Sequence, residues 1–168
     1  MKIHLTIFLV FVTVTFTSCK NYRQDPDITY YVNYDSGNDK FPGTIDKPLL
    51  TISEVNERIL SKPGNILFAG GQVFEGTLLL IDTQGVDSVP ILIGSYGESR
   101  AVINGGNNDA VRIENSKNIR INNLDLKGSG RKDGNATNGL QLVNCAGCVV
   151  EDLRAEGFLK SGVDLYNC

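Results

Sequence analysis

Apolar and polar positions alternate in short runs along most of this chain, and one alternating run comes back twice. Ala110-Val111-Arg112-Ile113-Glu114-Asn115-Ser116 returns as Gly139-Leu140-Gln141-Leu142-Val143-Asn144-Cys145, and again as Gly162-Val163-Asp164-Leu165-Tyr166-Asn167-Cys168. Each copy reads small, apolar, any, apolar, any, Asn, small. Val111 to Leu140 is 29 residues and Leu140 to Val163 is 23. The difference falls in Lys127 to Thr137, a stretch rich in Gly, Lys and Asn that reads as an inserted loop. A second unit, Ile121-Asn122-Asn123-Leu124-Asp125-Leu126, returns in the same register as Val150-Glu151-Asp152-Leu153-Arg154-Ala155.

Period-two alternation sends successive side chains to opposite faces of a strand. Val111, Ile113, Leu140, Leu142, Val163 and Leu165 are therefore expected to stack inward, with Ile119, Ile121, Leu124 and Leu126 doing the same on the other faces. A period near 23 residues, made of short strands and polar corners, predicts a solenoid. A leucine-rich repeat would carry a longer apolar string and a helical return, and neither is visible. Asn suits the corners because it tolerates left-handed backbone angles and bonds local backbone groups. Stacked Asn side chains can also bond along the column. The reading is an all-β chain, a parallel β-helix with about three strands per coil.

Upstream the same logic gives shorter, less regular strands. Tyr30 to Asn33, Asn65 to Ala69, Gly76 to Ile81, Pro90 to Ile93 and Ala101 to Ile103 read as strands, and Asp35 to Thr44 as turns. Thr51-Ile52-Ser53-Glu54 has the form of a capping box. Ile52, Val55 and Ile59 follow at helical spacing, and Pro63-Gly64 ends the helix. This short amphipathic helix is expected to cap the open N-terminal end of the stack, which otherwise exposes apolar surface and strand edges.

The first 18 residues read as a signal peptide. Leu5 to Phe16 is apolar apart from Thr, shorter than the roughly 20 residues a membrane span needs, and fits a signal-peptide core. Phe16-Thr17-Ser18-Cys19 resembles a bacterial lipobox, which makes Cys19 the expected lipid anchor. Phe16 stands where Leu is usual, so ordinary signal-peptidase cleavage stays open. Residues 19–29 read as a tether and 30–168 as the β-helix domain. The expected location is the bacterial cell envelope, as an outer-membrane lipoprotein or a secreted protein. The chain stops at Cys168, just after a strand and its corner, so the domain is expected to be incomplete at its C-terminus. The net charge of −3 and a sequence pI of about 5.1 give no basic patch for nucleic acid. The 18 glycines suit many tight corners.

Tyr31-Val32, Gly37-Asn38-Asp39, Pro42-Gly43-Thr44, Lys47-Pro48 and Thr51-Ile52 together resemble the opening of pectate-lyase-like right-handed parallel β-helix proteins. So do Pro63-Gly64-Asn65-Ile66-Leu67-Phe68, Gly71-Gln72-Val73-Phe74-Glu75-Gly76 and Pro90-Ile91-Leu92-Ile93-Gly94-Ser95-Tyr96-Gly97. Asn65 stands where that family usually has Asp. The resemblance implies a right-handed solenoid whose substrate groove lies on a strand face flanked by long loops. The superfamily holds polysaccharide lyases, polygalacturonases, epimerases and non-catalytic surface proteins, so the fold does not fix the activity. Calcium is a cofactor that the resemblance allows; the residues themselves indicate no cofactor.

Outward positions of the repeated strand form columns: Arg112, Gln141 and Asp164 in one, Glu114, Val143 and Tyr166 in the next. Neighbouring coils lie about 4.8 Å apart, so these side chains line one surface. A polysaccharide can lie along it, with Tyr166 as a stacking face and Arg112 paired to a uronate carboxylate. The Gly128 to Asn138 insertion, carrying Arg131, Lys132 and Asp133, is placed to wall that groove. The plainer reading, a solvated outer face, weighs more at the level of sequence. No catalytic motif of the family matches here, and the missing coils are the expected place for catalytic residues. The two function classes left are a segment of a polysaccharide lyase or glycosidase and a non-catalytic surface module that binds glycan.

Three further features read as structural. Glu151 and Asp152, with Asp125 one coil earlier, suit a corner better than a calcium site, which wants six to eight oxygens. Cys145-Ala146-Gly147-Cys148 is a CxxC, but Ser116, Cys145 and Cys168 share one repeat position and read as a small-residue stack. Cys145 and Cys168 fall within disulfide reach, in an orientation that suits a bridge poorly. Asn135-Ala136-Thr137 matches a glycosylation sequon, to which a bacterial lipobox gives little weight.

Overall fold

The computed structural model describes residues 22–23, 28–86 and 88–168. The signal segment and the Cys19 anchor lie outside the described residues. The strands are β1 (Tyr22–Arg23), β2 (Thr29–Val32), β3 (Asn65–Ala69), β4 (Val73–Glu75), β5 (Leu78–Ile81), β6 (Thr83–Gln84) and β7 (Ile91–Tyr96). They continue as β8 (Ala101–Gly106), β9 (Val111–Glu114), β10 (Ile119–Gly128), β11 (Leu140–Val143), β12 (Val149–Glu156) and β13 (Val163–Tyr166). One helix, α1 (Ile52–Ser61), stands among them.

Every ladder between these strands is parallel. One sheet runs β13-β11-β9-β5. A larger one runs β2-β3-β7-β10-β8-β4, with β12 also on β10. The β10 strand changes partner midway. Its Ile119–Ile121 half pairs with β7 and its Leu124–Gly128 half with β8. Between the halves sits Asn123 at φ 54°, and its counterpart on β12 is Asp152 at φ 47°. The large sheet thus has two limbs joined at a left-handed corner, and the three limbs curl round one core.

The register found in the sequence is the register of the ladder. Leu140 pairs with Val111 and with Val163, and Leu142 with Ile113 and Leu165. Val111, Ile113, Leu140, Leu142, Ile119, Ile121, Leu124 and Leu126 are each at most 2% exposed. Phe68 and Phe74 pack together in the core with ring centroids 4.9 Å apart. Val163 and Leu165 keep the register but are 44% and 62% exposed, because no described strand lies beyond β13.

The corners follow the repeat as well. Asp82, Asn115, Asn144 and Asn167 all have φ between 50° and 54°, the left-handed region that Asn and Asp tolerate best. Asn144 Nδ2 donates to Asn115 Oδ1 at 3.0 Å, and Asn167 Nδ2 to Asn144 Oδ1 at 2.8 Å. Beside this ladder runs a column of small polar residues. Ser116 Oγ accepts from Thr83 N–H at 3.1 Å and donates to the Glu114 carbonyl at 2.7 Å. The Cys145 thiol takes the same place, donating to the Val143 carbonyl at 3.3 Å, and Cys168 Sγ accepts from Cys145 N–H at 3.3 Å. All three described cysteines are free.

The helix starts at Thr51, whose Oγ1 accepts from Glu54 N–H at 3.2 Å. The other half of the expected capping box is not made. Glu54 turns instead to Arg58 Nε at 2.6 Å. Asp39 takes its place, accepting from Thr51 N–H at 3.0 Å, Thr51 Oγ1 at 2.9 Å and Leu50 N–H at 2.9 Å. Ile52, Val55 and Ile59 face the core. Asn56 covers the outer edge of β5, accepting from Leu79 N–H at 3.0 Å and donating to the Thr77 carbonyl at 2.9 Å. Unpaired edge groups are thereby satisfied at this end of the stack. No described helix is long and apolar enough to cross a membrane.

Candidate functional site

The outward face of the β5-β9-β11-β13 sheet brings together the residues that the repeat singled out. Arg112, Gln141 and Asp164 stand opposite one another on adjacent strands, as do Glu114, Val143 and Tyr166. They form a connected chain of bonds. Arg112 Nη1 donates to Gln141 Oε1 at 2.6 Å, and Gln141 Nε2 donates to Asp164 Oδ2 at 3.0 Å. Arg112 is also tied along its own strand. Its Nε lies 2.6 Å from Glu114 Oε1 and its Nη1 3.3 Å from Asp109 Oδ2. The hydrogen bond to Glu114, with Asp109 adding to it, raises the guanidinium pKa against the opposing effect of partial burial. The pairing with a uronate that the sequence suggested for Arg112 thus starts from a guanidinium already facing two carboxylates. Tyr166 is 67% exposed at the end of its column.

The inserted loop does reach this face. Asp109 is 7% exposed. Its Oδ1 accepts from Asn138 N–H at 2.8 Å, so one carboxylate holds both Arg112 and the root of the loop. Thr137 joins Thr77, Leu79, Asn108, Asp109 and Arg112 round a hollow of about 300 Å³. Asn135 pins the loop from within. It is 1% exposed, donates to the Gly106 carbonyl at 2.8 Å and accepts from Thr137 and Leu159 N–H groups at 3.0 and 3.1 Å. A buried, fully bonded Asn is no glycan acceptor, so the sequon is a structural turn. Arg131 and Lys132 lie exposed at the loop tip and make no side-chain bond among the described residues.

The acidic corner has a partner that the sequence reading missed. Arg100 reaches two strands at once, to Asp125 Oδ1 at 3.3 Å and to Asp152 Oδ1. Arg120 pairs Glu151 at 3.2 Å. These carboxylates are engaged by guanidinium groups. The described residues hold no group of three or more His, Cys, Asp or Glu side chains placed to bind a metal ion.

A second outward face carries a groove that the sequence reading missed. It follows the β4, β8, β10 and β12 strands and encloses about 580 Å³. Two columns floor it: Val73, Val102, Asp125 and Arg154, then Glu75, Asn104, Lys127 and Glu156. The spacing of 29 residues was already visible in the sequence, since Lys127 and Glu156 extend the repeated pair Ile121 to Leu126 and Val150 to Ala155 by one step. The Val73-Phe74-Glu75 strand was the missing start. A strand of three residues carries too little alternation to register in the sequence.

No known protein-family model matches the chain, and no curated protein sequence matches it significantly. Solved structures do resemble it. Two crystal structures of a GH136 lacto-N-biosidase from Eubacterium ramulus, a selenomethionine derivative and the native protein, superpose with TM-scores of 0.62 and 0.60 at 22% sequence identity. The match covers 82% of this chain and 30% of each of those chains. The likeness is one of fold, and this chain spans about 30% of the length of those neighbours.

Proposed function

We propose that this chain is part of a right-handed parallel β-helix of the pectate-lyase-like kind, carried at the cell envelope by a lipid on Cys19. In this reading its β5-β9-β11-β13 face binds an acidic polysaccharide. The observation that carries the reading is the hollow between Arg112 and Thr137, where the inserted loop walls an outward column of polar side chains. The neighbours of like fold are named lacto-N-biosidases, which supports a carbohydrate as the ligand. Arg112 presents N–H donors held in place by Glu114 and Asp109, while the unpaired cations of the loop, Arg131 and Lys132, supply the attraction for uronates. Gln141 and Asp164 continue the polar track, and Tyr166 offers an apolar ring at its end.

Binding rather than bond cleavage is the role assigned to this stretch. The carboxylates of the face, Asp109, Glu114 and Asp164, are each held by a neighbouring donor. Titration against polygalacturonate, alginate and a neutral glucan tests the reading. The acidic polymers should bind, more weakly as salt rises, because exposed charges are screened over about 8–10 Å. Arg131→Ala and Tyr166→Ala should each weaken binding without lowering the melting temperature. Equal binding by wild type and all variants would place the ligand elsewhere.

A further inference from the structure

The groove along β4, β8, β10 and β12 is separate from the face just described; Asp125 on its floor is held by Arg100, and three other charges are left open. Lys127, Arg154 and Glu156 make no side-chain bond among the described residues. Their neighbours on the ladder face are bonded along the whole column. Among the described residues Glu75 accepts from Asn104 Nδ2 alone, at 3.1 Å. A charged side chain left unpaired in a groove keeps its donors or acceptors available for a ligand.

The order of those groups is informative. Across the strands, roughly 4.8 Å apart, one column reads acceptor, amide, cation, acid, from Glu75 through Asn104 and Lys127 to Glu156. The parallel column begins with Val73 and Val102, which give an apolar floor, and ends with Arg154. Donors and acceptors interleave and the charges nearly cancel. A polyanion gains little from such a surface, and a peptide's apolar side chains find only a shallow floor. A chain of neutral sugars fits better: each ring offers hydroxyls that both donate and accept, and an apolar C–H face.

The groove also continues past β4. A second hollow of about 410 Å³ shares Val73 and Glu75 with it and is bounded by Tyr34, Asp35 and Gln72. Tyr34 is 63% exposed, and its backbone is held in place. The backbone N–H donates to Gln72 Oε1 at 2.7 Å, and Gln72 Nε2 donates to Asp35 Oδ2 at 2.7 Å. An exposed ring on an anchored turn at the end of a groove offers a stacking face for a sugar.

We propose that this groove binds a neutral oligosaccharide lying across the strands, from the Tyr34 ring to the Lys127, Arg154 and Glu156 end. The proposal rests on the carbohydrate reading of the chain and adds a second, independent site to it. The full chain is titrated by calorimetry with cellohexaose, xylohexaose and chitohexaose, and with polygalacturonate for the other face. One of the neutral hexasaccharides binds. Lys127→Met and Tyr34→Ala each weaken that binding at least tenfold, Val102→Arg abolishes it by filling the floor, and Arg112→Ala changes it less than twofold. Circular dichroism checks the fold of each variant. If Val102→Arg does not fold, Lys127→Met and Glu156→Gln, both at exposed positions, decide the matter. Neutral sugar binding that is lost in Arg112→Ala and untouched in Lys127→Met overturns the proposal. So does self-association of the chain that Val102→Arg relieves. Retained polygalacturonate binding with no neutral ligand overturns the groove alone, and absence of all glycan binding overturns both readings.

Discussion

At the scale of single residues, the corner column sets the backbone and the thiol column sets a protonation state. Asn144 sits at φ 53° with its side chain exposed, so its value is conformational more than a matter of buried bonds. A side chain without Asn's tolerance pays about 1–2 kcal/mol in the left-handed region. Asn144→Leu should therefore cost about that much by urea denaturation, and Asn144→Gly clearly less, since Gly adopts positive φ freely. Cys145 is a different case. Burial pushes its thiol up to about 11 from an ordinary 9.0, against the opposing pull of the Ser116 backbone N–H. The unfolded chain then loses this proton first, so stability should fall as pH rises between 9.0 and about 11. Urea midpoints measured across that range should show the fall, and Cys145→Ser should reduce it, leaving the part due to Cys148, whose thiol burial also raises. Ser already fills the equivalent place at position 116, so the variant should stay within about 1 kcal/mol of the parent at neutral pH. Both columns were legible in the sequence, because Asn115, Asn144 and Asn167 recur at one position and Ser116, Cys145 and Cys168 at the next.

At the scale of elements, α1 shows both what patterning reveals and where it stops. Ile52, Val55 and Ile59 gave the helix and its buried side, and Thr51 gave its start. Nothing in the spacing of Thr51 and Glu54 could reveal that Asp39, twelve residues upstream of Thr51, would take the reciprocal bonds. Such a contact depends on how the Asp35 to Thr44 turns fold back, and turns carry no periodicity. Asn56 was equally silent, since its two bonds go to a strand more than twenty residues away. Asn56→Ala leaves Leu79 N–H and the Thr77 carbonyl at the β5 edge without their partner. It should lower stability by about 1–3 kcal/mol in denaturant melts while leaving helix content unchanged by circular dichroism. A loss no larger than that of an exposed-surface substitution would mean that the edge is covered some other way.

At the scale of the whole molecule, three curled limbs display outer faces that the sequence revealed unequally. The β9-β11-β13 face was readable because each of its strands carries the same seven-residue signature. The β4-β8-β10-β12 face was legible only at its Lys127 and Glu156 end, because its other strands differ in length and composition and only the ladder shows Glu75 and Asn104 to be neighbours of that pair. Attachment to the membrane also belongs to this scale. If Cys19 carries a lipid, Cys19→Ala should move the protein from the membrane to the soluble fraction on cell fractionation, and unchanged detergent partitioning would count against the anchor. The loop between β10 and β11 bears on how such a molecule can change over generations. It adds residues between two strands, yet β10 still meets β12 and β9 still meets β11 without a slip across the insertion. Closing a longer loop costs little, about 0.6 kcal/mol for each doubling of its length. Length can therefore vary at that bend almost independently of the scaffold. A lineage built on this plan can try new walls beside its binding faces, coil by coil, while the stacked interior is inherited intact.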